Sequence, residues 1–378
     1  MTKFEKTFTT IKSLIDDTPN IFKLPNDYKD SDGYFPDYLK ELLEKYEVFF
    51  KKKLNIYINE NIPFLDNKKD VILNKIKKLN QIILNTLNCY YNGKPYEANQ
   101  IFTKGIEEVY LKDIQYETEI LEGKNFYRAR LDKEKYFQRK DLFHIDFKLR
   151  NLVSTNRYSI PGFPALYLGD TSYVCWEEFE RPKFRDLWFS RFQNIDKIKI
   201  IEILLVEDFI KKIDKEIDKD FKFTHILRYF VSFPLTLACT IKVHNIEASF
   251  KPEYIIPQML LEYVINNDKI DGIKFPSTKV NYQSLTEVES YNYVFPVRTN
   301  KKEGLCDKLT SLFKLTDPTS LEMEELLNNP VNPITYLYGG IPKPELKIQI
   351  TEGMDHFYFN TSFGKIENIL ENKKLEML

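Results

Sequence analysis

The feature that most constrains this 378-residue chain is a change of hydrophobic period near residue 120. Ahead of it, apolar side chains recur at helical spacing. Tyr38, Leu39, Leu42, Leu43, Tyr46 and Phe49 form one such set, and Val71, Ile72, Ile76, Leu79, Ile82 and Ile83 form another. A third helix is predicted over 96–110. Pro19, Pro25 and the Asp32-Gly33 pair predict loop ahead of the first helix. No cluster of Ser, His or Cys marks this part of the chain. Residues 1–120 therefore read as a helical packing or partner-binding domain.

From about 121 the pattern becomes short apolar runs punctuated by Gly and Pro. Ala165-Leu166-Tyr167-Leu168 predicts a strand, and Gly169-Asp170 a turn. Asp170 is placed as the N-cap of a helix through Trp176 and Phe179, which Pro182 ends. The stretch 198–206 fits strand or helix, 209–222 a charged, solvated helix, and 229–243 is apolar without a clear period. Pro257 suits the first turn of a helix running to about Asn266. Gly272-Ile273-Lys274-Phe275 reads as a strand stopped by Pro276, and 291–297 as another. Beyond 301 a helix is expected near 321–327 and strands near 346–350 and 356–359. The length exceeds what one compact core usually holds. The expected division is a helical domain (1–120), a catalytic domain (121–300) and an α/β extension of the latter (301–378).

Composition narrows the class. A hydrophobic fraction of 43% and an aromatic fraction of 15% suffice for packed cores. The formal charge of -1, from 55 basic and 56 acidic residues, offers no global field for nucleic acid. Cys89, Cys175, Cys239 and Cys306 include no CxxC pair, which argues against a disulfide framework or zinc site and for reduced thiols in the cytoplasm. The polar start does not suit a secretory signal, and no apolar run is long enough for a membrane span. His144, His225, His244 and His356 are scattered, with no metal-ligand spacing.

Glu178 is the most informative single residue. On the predicted helix it shares a face with Val174 and Cys175, which should point inward, whereas Glu177 sits over Tyr173 beside Glu180 and should meet water. An inward carboxylate is costly unless paired or used. An ion pair with Arg157 is the structural alternative. Arg157 lies in Ser154-Thr155-Asn156-Arg157-Tyr158-Ser159-Ile160-Pro161-Gly162, where small hydroxyl residues and a guanidinium near a Pro-Gly turn suit a phosphate-bearing ligand. Arg128 and Arg130 would share one face of a strand. Ser277 follows a strand and a proline, a common ligand position, with no nucleophile elbow around it. Arg139 and His144 match an Arg-x4-His spacing used by helical RNA-cleaving domains, but lie beside strand-like sequence.

In this order the pieces resemble the RES-domain family of bacterial NAD+-degrading toxins, whose fold is similar to that of ADP-ribosyltransferases. The resemblance starts at Phe126-Tyr127-Arg128 and continues through Arg157-Tyr158-Ser159-Ile160-Pro161-Gly162 and the strand with Tyr167. It passes Trp176-Glu177-Glu178 and Tyr254-Ile255-Ile256-Pro257-Gln258, and ends at Asp271-Gly272-Ile273-Lys274-Phe275-Pro276-Ser277. It covers less than half of the chain. It implies an α+β protein: a helical N-terminal domain, then an ADP-ribosyltransferase-like mixed α/β RES domain. Arg157, Glu178 and Ser277 would be catalytic, and Arg128, Tyr158 and Tyr167 would bind substrate. NAD+ would be a substrate, not a cofactor, with inorganic phosphate as an optional co-substrate. The product would come from hydrolysis or phosphorolysis of the nicotinamide–ribose bond. An antitoxin or regulatory protein and a homo-oligomer are the partners implied. Two other readings stay open: ADP-ribose transfer to a macromolecule, and a helical partner-binding or RNA-cleaving protein with an inactive RES-like part.

Overall fold

The computed structural model describes residues 19–29, 33–54, 69–111, 117–133, 135–214, 219–327 and 345–378. Its principal helices in chain order begin with α1 (Phe35–Phe49), α2 (Lys69–Tyr91), α3 (Pro95–Ile106), α4 (Ser172–Glu178) and α5 (Val206–Asp214). Then come α6 (Lys219–Cys239), α7 (Ile255–Ile265), α8 (Asp307–Leu312), α9 (Leu321–Leu326) and α10 (Ser362–Glu371). The strands are β1 (Glu117–Ile120), β2 (Asn125–Leu131), β3 (Ala165–Gly169), β4 (Leu187–Asn194), β5 (Ile198–Glu202) and β6 (Gly272–Pro276). They continue with β7 (Leu285–Thr286), β8 (Tyr291–Pro296), β9 (Phe313–Leu315), β10 (Lys347–Thr351) and β11 (Met354–Phe357). The fold is α+β, with a helical region ahead of the sheet.

The chain forms two compact units, Met1–Tyr116 with Glu202–Tyr263, and Glu117–Ile201 with Val264–Leu378. Residues 202–263, expected within the contiguous segment 121–300, are grouped here with the helical unit. The reason lies in α6. From Tyr229 to Cys239 every residue is buried, and the helix packs on α1 and α2. A helix buried on all sides carries no amphipathic period, which explains why 229–243 is ambiguous in sequence. Pro234 lies inside α6 and supplies no N–H to the carbonyl of Phe230, one turn earlier. The hydroxyl of fully buried Tyr46 on α1 donates to that carbonyl instead.

Other differences are local. Pro19–Phe22 forms one helical turn where loop was expected; Asp32 lies outside the described residues. Of the charged stretch 209–222, the described residues are helical, in Val206–Asp214 and from Lys219 onward, and 215–218 lie outside the described residues. The third helix ends at Ile106 and continues as a π turn, Glu107–Leu111.

In the second unit an eight-stranded sheet runs in the order β1-β5-β6-β8-β3-β2-β4-β9, and a small sheet in the order β11-β10-β7. The pairs β6–β8, β8–β3, β3–β2 and β2–β4 are antiparallel. Period-two alternation gives the large sheet two apolar faces. Tyr127, Ala129, Leu187 and Phe189 pack with Cys175 of α4 and with Ile366 and Leu370 of α10. Phe126 stacks edge-on against Tyr293, Phe295 and Phe313 on the other face. The central strands β6, β8 and β3 position the residues described next.

Candidate functional site

The segment from β3 into α4 sets the geometry. Gly169 closes β3, and a Cβ there would lie 2.4 Å from Val174 Cγ1, so only glycine lets the helix turn back this closely. The N-cap is Thr171, whose side chain accepts from Val174 N–H at 3.2 Å, and not Asp170 as expected. Asp170 is drawn inward instead. It pairs with Lys124 at 2.9 Å and accepts from the Tyr293 hydroxyl at 2.9 Å. Glu367 of α10 completes the helix start, accepting from Ser172 N–H at 2.7 Å, Ser172 Oγ at 2.8 Å and Tyr358 OH at 2.7 Å. Burial raises the Glu367 carboxyl to about 7, against the pull of these donors.

At the other end of α4, Glu178 is half-buried. Its Oε1 accepts two hydrogen bonds, from Ser277 Oγ at 2.7 Å and from Asn292 Nδ2 at 2.6 Å. Ser277 directly follows β6, Asn292 lies on β8, and both are buried. Lys279 N–H donates to Ser277 Oγ at 3.2 Å, and Lys279 Nζ to the Glu178 carbonyl at 2.7 Å. The expectation for Glu177 is overturned. Glu177 is buried, with a two-pronged ion pair to Arg181 at 2.9 and 3.0 Å. Tyr173, one turn earlier, also hydrogen-bonds it. Positive φ at Glu180 (60°) and Arg181 (59°) turns the chain back before Pro182 and brings the guanidinium to Glu177. The buried ion pair considered for Glu178 thus belongs to its neighbour.

Arg157 sits in a loop held by its own side chains. Ser159 Oγ accepts from Asn156 N–H at 2.6 Å. Pro161 and Gly162 (φ 76°) form a tight turn closed by Phe163 N–H to Ile160 O at 2.9 Å, the type II geometry that requires glycine third. Buried Arg157 donates to Thr278 Oγ1 at 3.3 Å, one residue after Ser277. Tyr158 is fully buried and packs on Phe275 with ring centroids 4.2 Å apart. The half-buried Tyr167 donates its hydroxyl to the Tyr158 carbonyl.

Arg128 stands on the sheet face opposite Asn292, because the paired residues Tyr127, Gly169 and Asn292 point to one side and the next residue to the other. Tyr127–Gly169 is the one paired rung between β2 and β3, and the strands diverge beyond it. There Arg128 NH1 donates to the Tyr167 carbonyl at 2.8 Å. Its buried Nε has no hydrogen-bond partner among the described residues. Burial, with a smaller contribution from Arg130, disfavours its charge. All six residues singled out in the sequence therefore join one network: Arg128 to Tyr167, Tyr167 to Tyr158 beside Arg157, Arg157 to Thr278 beside Ser277, and Ser277 to Glu178. Asn292 is the member that sequence reading misses. Its signal is a lone amide in an otherwise apolar strand, YNYVFP, buried throughout.

The Arg139/His144 spacing brings nothing together. Arg139 pairs with Asp317 at 2.8 Å and Glu376 at 2.6 Å. His144 is buried, with Nε2 accepting from Cys306 N–H at 2.9 Å and Nδ1 2.7 Å from Ile145 O. Burial lowers its pKa to about 4, so it stays neutral. All four cysteines are free, and among the described residues no three His, Cys, Asp or Glu side chains gather as a metal site. No described helix is long and apolar enough to cross a membrane.

Fold and site define an α+β protein with a carboxylate oxygen held by two donors, one just after β6 and one on β8, and an arginine bonded to the residue next to the first donor. Compared with known proteins, the chain is 34% identical over 343 residues to the protein named "Putative toxin YopC" of Bacillus subtilis (strain 168), a match covering 86% of this chain and 75% of that one. The chain belongs to that toxin family. The match is too long to be confined to the RES-like segment. No protein-family profile and no solved structure matches the chain.

Proposed function

We propose that this toxin-family protein is an enzyme that cleaves the nicotinamide–ribose bond of NAD+. The observation that carries the reading is the hydrogen bond between Glu178 and Ser277 at 2.7 Å, with Arg157 bonded to the adjacent Thr278. These are the three residues that the RES resemblance requires in one place, and they come from three separate segments: the loop before β3, the end of α4 and the end of β6.

The chemistry follows from the substrate. Nicotinamide is a cationic leaving group, so it departs with the bonding electron pair and needs no general acid. Positive charge develops on the ribose, and a fixed carboxylate beside it lowers the barrier. Glu178 has that role. Arg157 is the anchor for the pyrophosphate, and Arg128 lends positive charge where the strands part. Tyr167 stiffens the Arg157 loop through its hydroxyl and offers its ring as a wall. Water then attacks the anomeric carbon and loses a proton, giving ADP-ribose. Inorganic phosphate in the same position gives phosphorylated ADP-ribose. A protein antitoxin is the partner class that such a toxin implies.

Incubating the purified full chain with NAD+, with and without phosphate, and weighing the products by chromatography and mass spectrometry tests the reading. Free nicotinamide with ADP-ribose or its phosphate is expected. Intact NAD+ under both conditions, or label transferred to protein or nucleic acid, contradicts it.

A further inference from the structure

We infer that Asn292 is a positioning residue that works with Ser277 to aim the Glu178 carboxylate. This rests on the proposed role of Glu178 and extends it to a residue the resemblance does not include. Both donors, Ser277 Oγ at 2.7 Å and Asn292 Nδ2 at 2.6 Å, converge on the same oxygen, Oε1. Among the described residues, Oε2 of Glu178 receives no hydrogen bond. A carboxylate held by one oxygen has a fixed plane, and its other oxygen is presented in one direction.

The supports of the two donors are themselves rigid. Asn292 lies on the central strand β8, opposite Gly169 on one side and Phe275 on the other. The glycine leaves room beside it for α4 to close in. Ser277 accepts from Lys279 N–H, so its own proton is directed at Glu178. Lys279 Nζ holds the Glu178 carbonyl, which fixes the backbone under the same side chain. Donors favour the ionised carboxylate over the neutral acid. The arrangement thus points Oε2 at the place where cationic ribose develops. It also assigns Ser277 to the carboxylate: its hydroxyl proton is committed to Glu178 and is not available to the substrate.

Asn292→Asp keeps the volume but exchanges the donor for a like charge, and Asn292→Ala removes the donor alone. Each variant is expected to lower kcat for NAD+ cleavage about 100-fold, with KM within about twofold. The acidic limb of the pH–rate profile moves to higher pH in Asn292→Asp and less in Asn292→Ala. Wild-type kcat and an unmoved profile in both variants overturn the inference. The clamp also has a readout independent of turnover, through carboxyl-labelled glutamate in 13C NMR. The Glu178 resonance, identified by its loss in Glu178→Gln, shifts in both Asn292 variants. A protein that leaves NAD+ intact while this resonance shifts retires the NAD+ reading and keeps the clamp. A resonance unmoved in both variants overturns the clamp whatever the substrate.

Discussion

The helical unit and the sheet unit both bury polar side chains, but connect them differently. In the helical unit Ser232 and Thr240 return their hydroxyls to carbonyls of their own segment, Tyr229 O at 3.0 Å and Thr236 O at 2.7 Å. These two bonds satisfy a buried group without fixing any neighbour, whereas the cross-element bonds of this unit, from Tyr46 to the Phe230 carbonyl and from Tyr229 to that of Leu204, are single and do not converge on one group. In the sheet unit the buried polar groups join separate elements, and α4 is where they meet. Glu367 reaches it from α10, Ser277 from the end of β6 and Asn292 from β8. Cross-element networks are costly when incomplete and geometrically demanding when complete. The helical unit is built to pack, whereas the surroundings of α4 are built to hold one carboxylate.

Variants can break this contrast. The largest effect is expected at Glu178. Glu178→Gln preserves shape and both incoming hydrogen bonds, yet should lower NAD+ turnover at least about 1000-fold, with a melting temperature within about 2 °C of wild type. In the helical unit the pattern reverses. Leu79→Ala on α2, at a fully buried position, should cost about 2–5 kcal/mol in denaturant unfolding. Turnover per folded molecule should stay at the wild-type value, and a parallel loss of kcat at temperatures below the transition would blur the contrast.

Smaller effects sharpen it. The Glu367 carboxyl is raised to about 7 by burial, above its value in the unfolded chain. Its contribution to stability is therefore complete in acid and is lost as pH rises through about 7. Wild type should lose on the order of 1–3 kcal/mol between about pH 4.5 and 8 that Glu367→Gln does not lose. Parallel pH–stability curves for the two proteins would remove Glu367 from the account. Arg181→Ala strips Glu177 of its guanidinium. Because Arg181 is 54% exposed, the pair is partly screened, and about 1 kcal/mol of stability is expected to go. Turnover should fall less than about threefold, since Glu177 touches neither Ser277 nor Asn292.

Much of this organisation is legible in the sequence, for reasons that differ by element. The helices α1, α2 and α3 show their period because one face is buried and the other wet. Strands β3, β6 and β8 are marked by short apolar runs that end at Gly or Pro. The segment Leu187–Asn194, LWFSRFQN, hides a central strand because Ser190, Arg191 and Asn194 are polar yet buried. Ser190 is satisfied by Thr316, the Arg191 guanidinium by Asn125 and the carbonyls of Leu370, Glu371 and Lys373, and Asn194 by carbonyls of Leu121 and Asp196. The Tyr229–Cys239 part of helix α6 is hidden for the opposite reason, being buried on all sides. At the site, Glu178 is legible from its shared face with Val174 and Cys175. Glu177 is misread because a helical wheel contains no information about Arg181, which comes back only through left-handed backbone. Asn292, a lone amide in an apolar strand, shows in sequence that something must be held there but not what, because its partner lies 114 positions away.

The central claim is that Arg157 and Glu178 serve one dinucleotide. A crystal structure of the Glu178→Gln protein with NAD+ tests it most directly. The account predicts the nicotinamide ribose within hydrogen-bond distance of residue 178 and a phosphate oxygen on Arg157. NAD+ bound elsewhere, or bound with Arg157 still turned to Thr278 and no phosphate near it, would contradict the account.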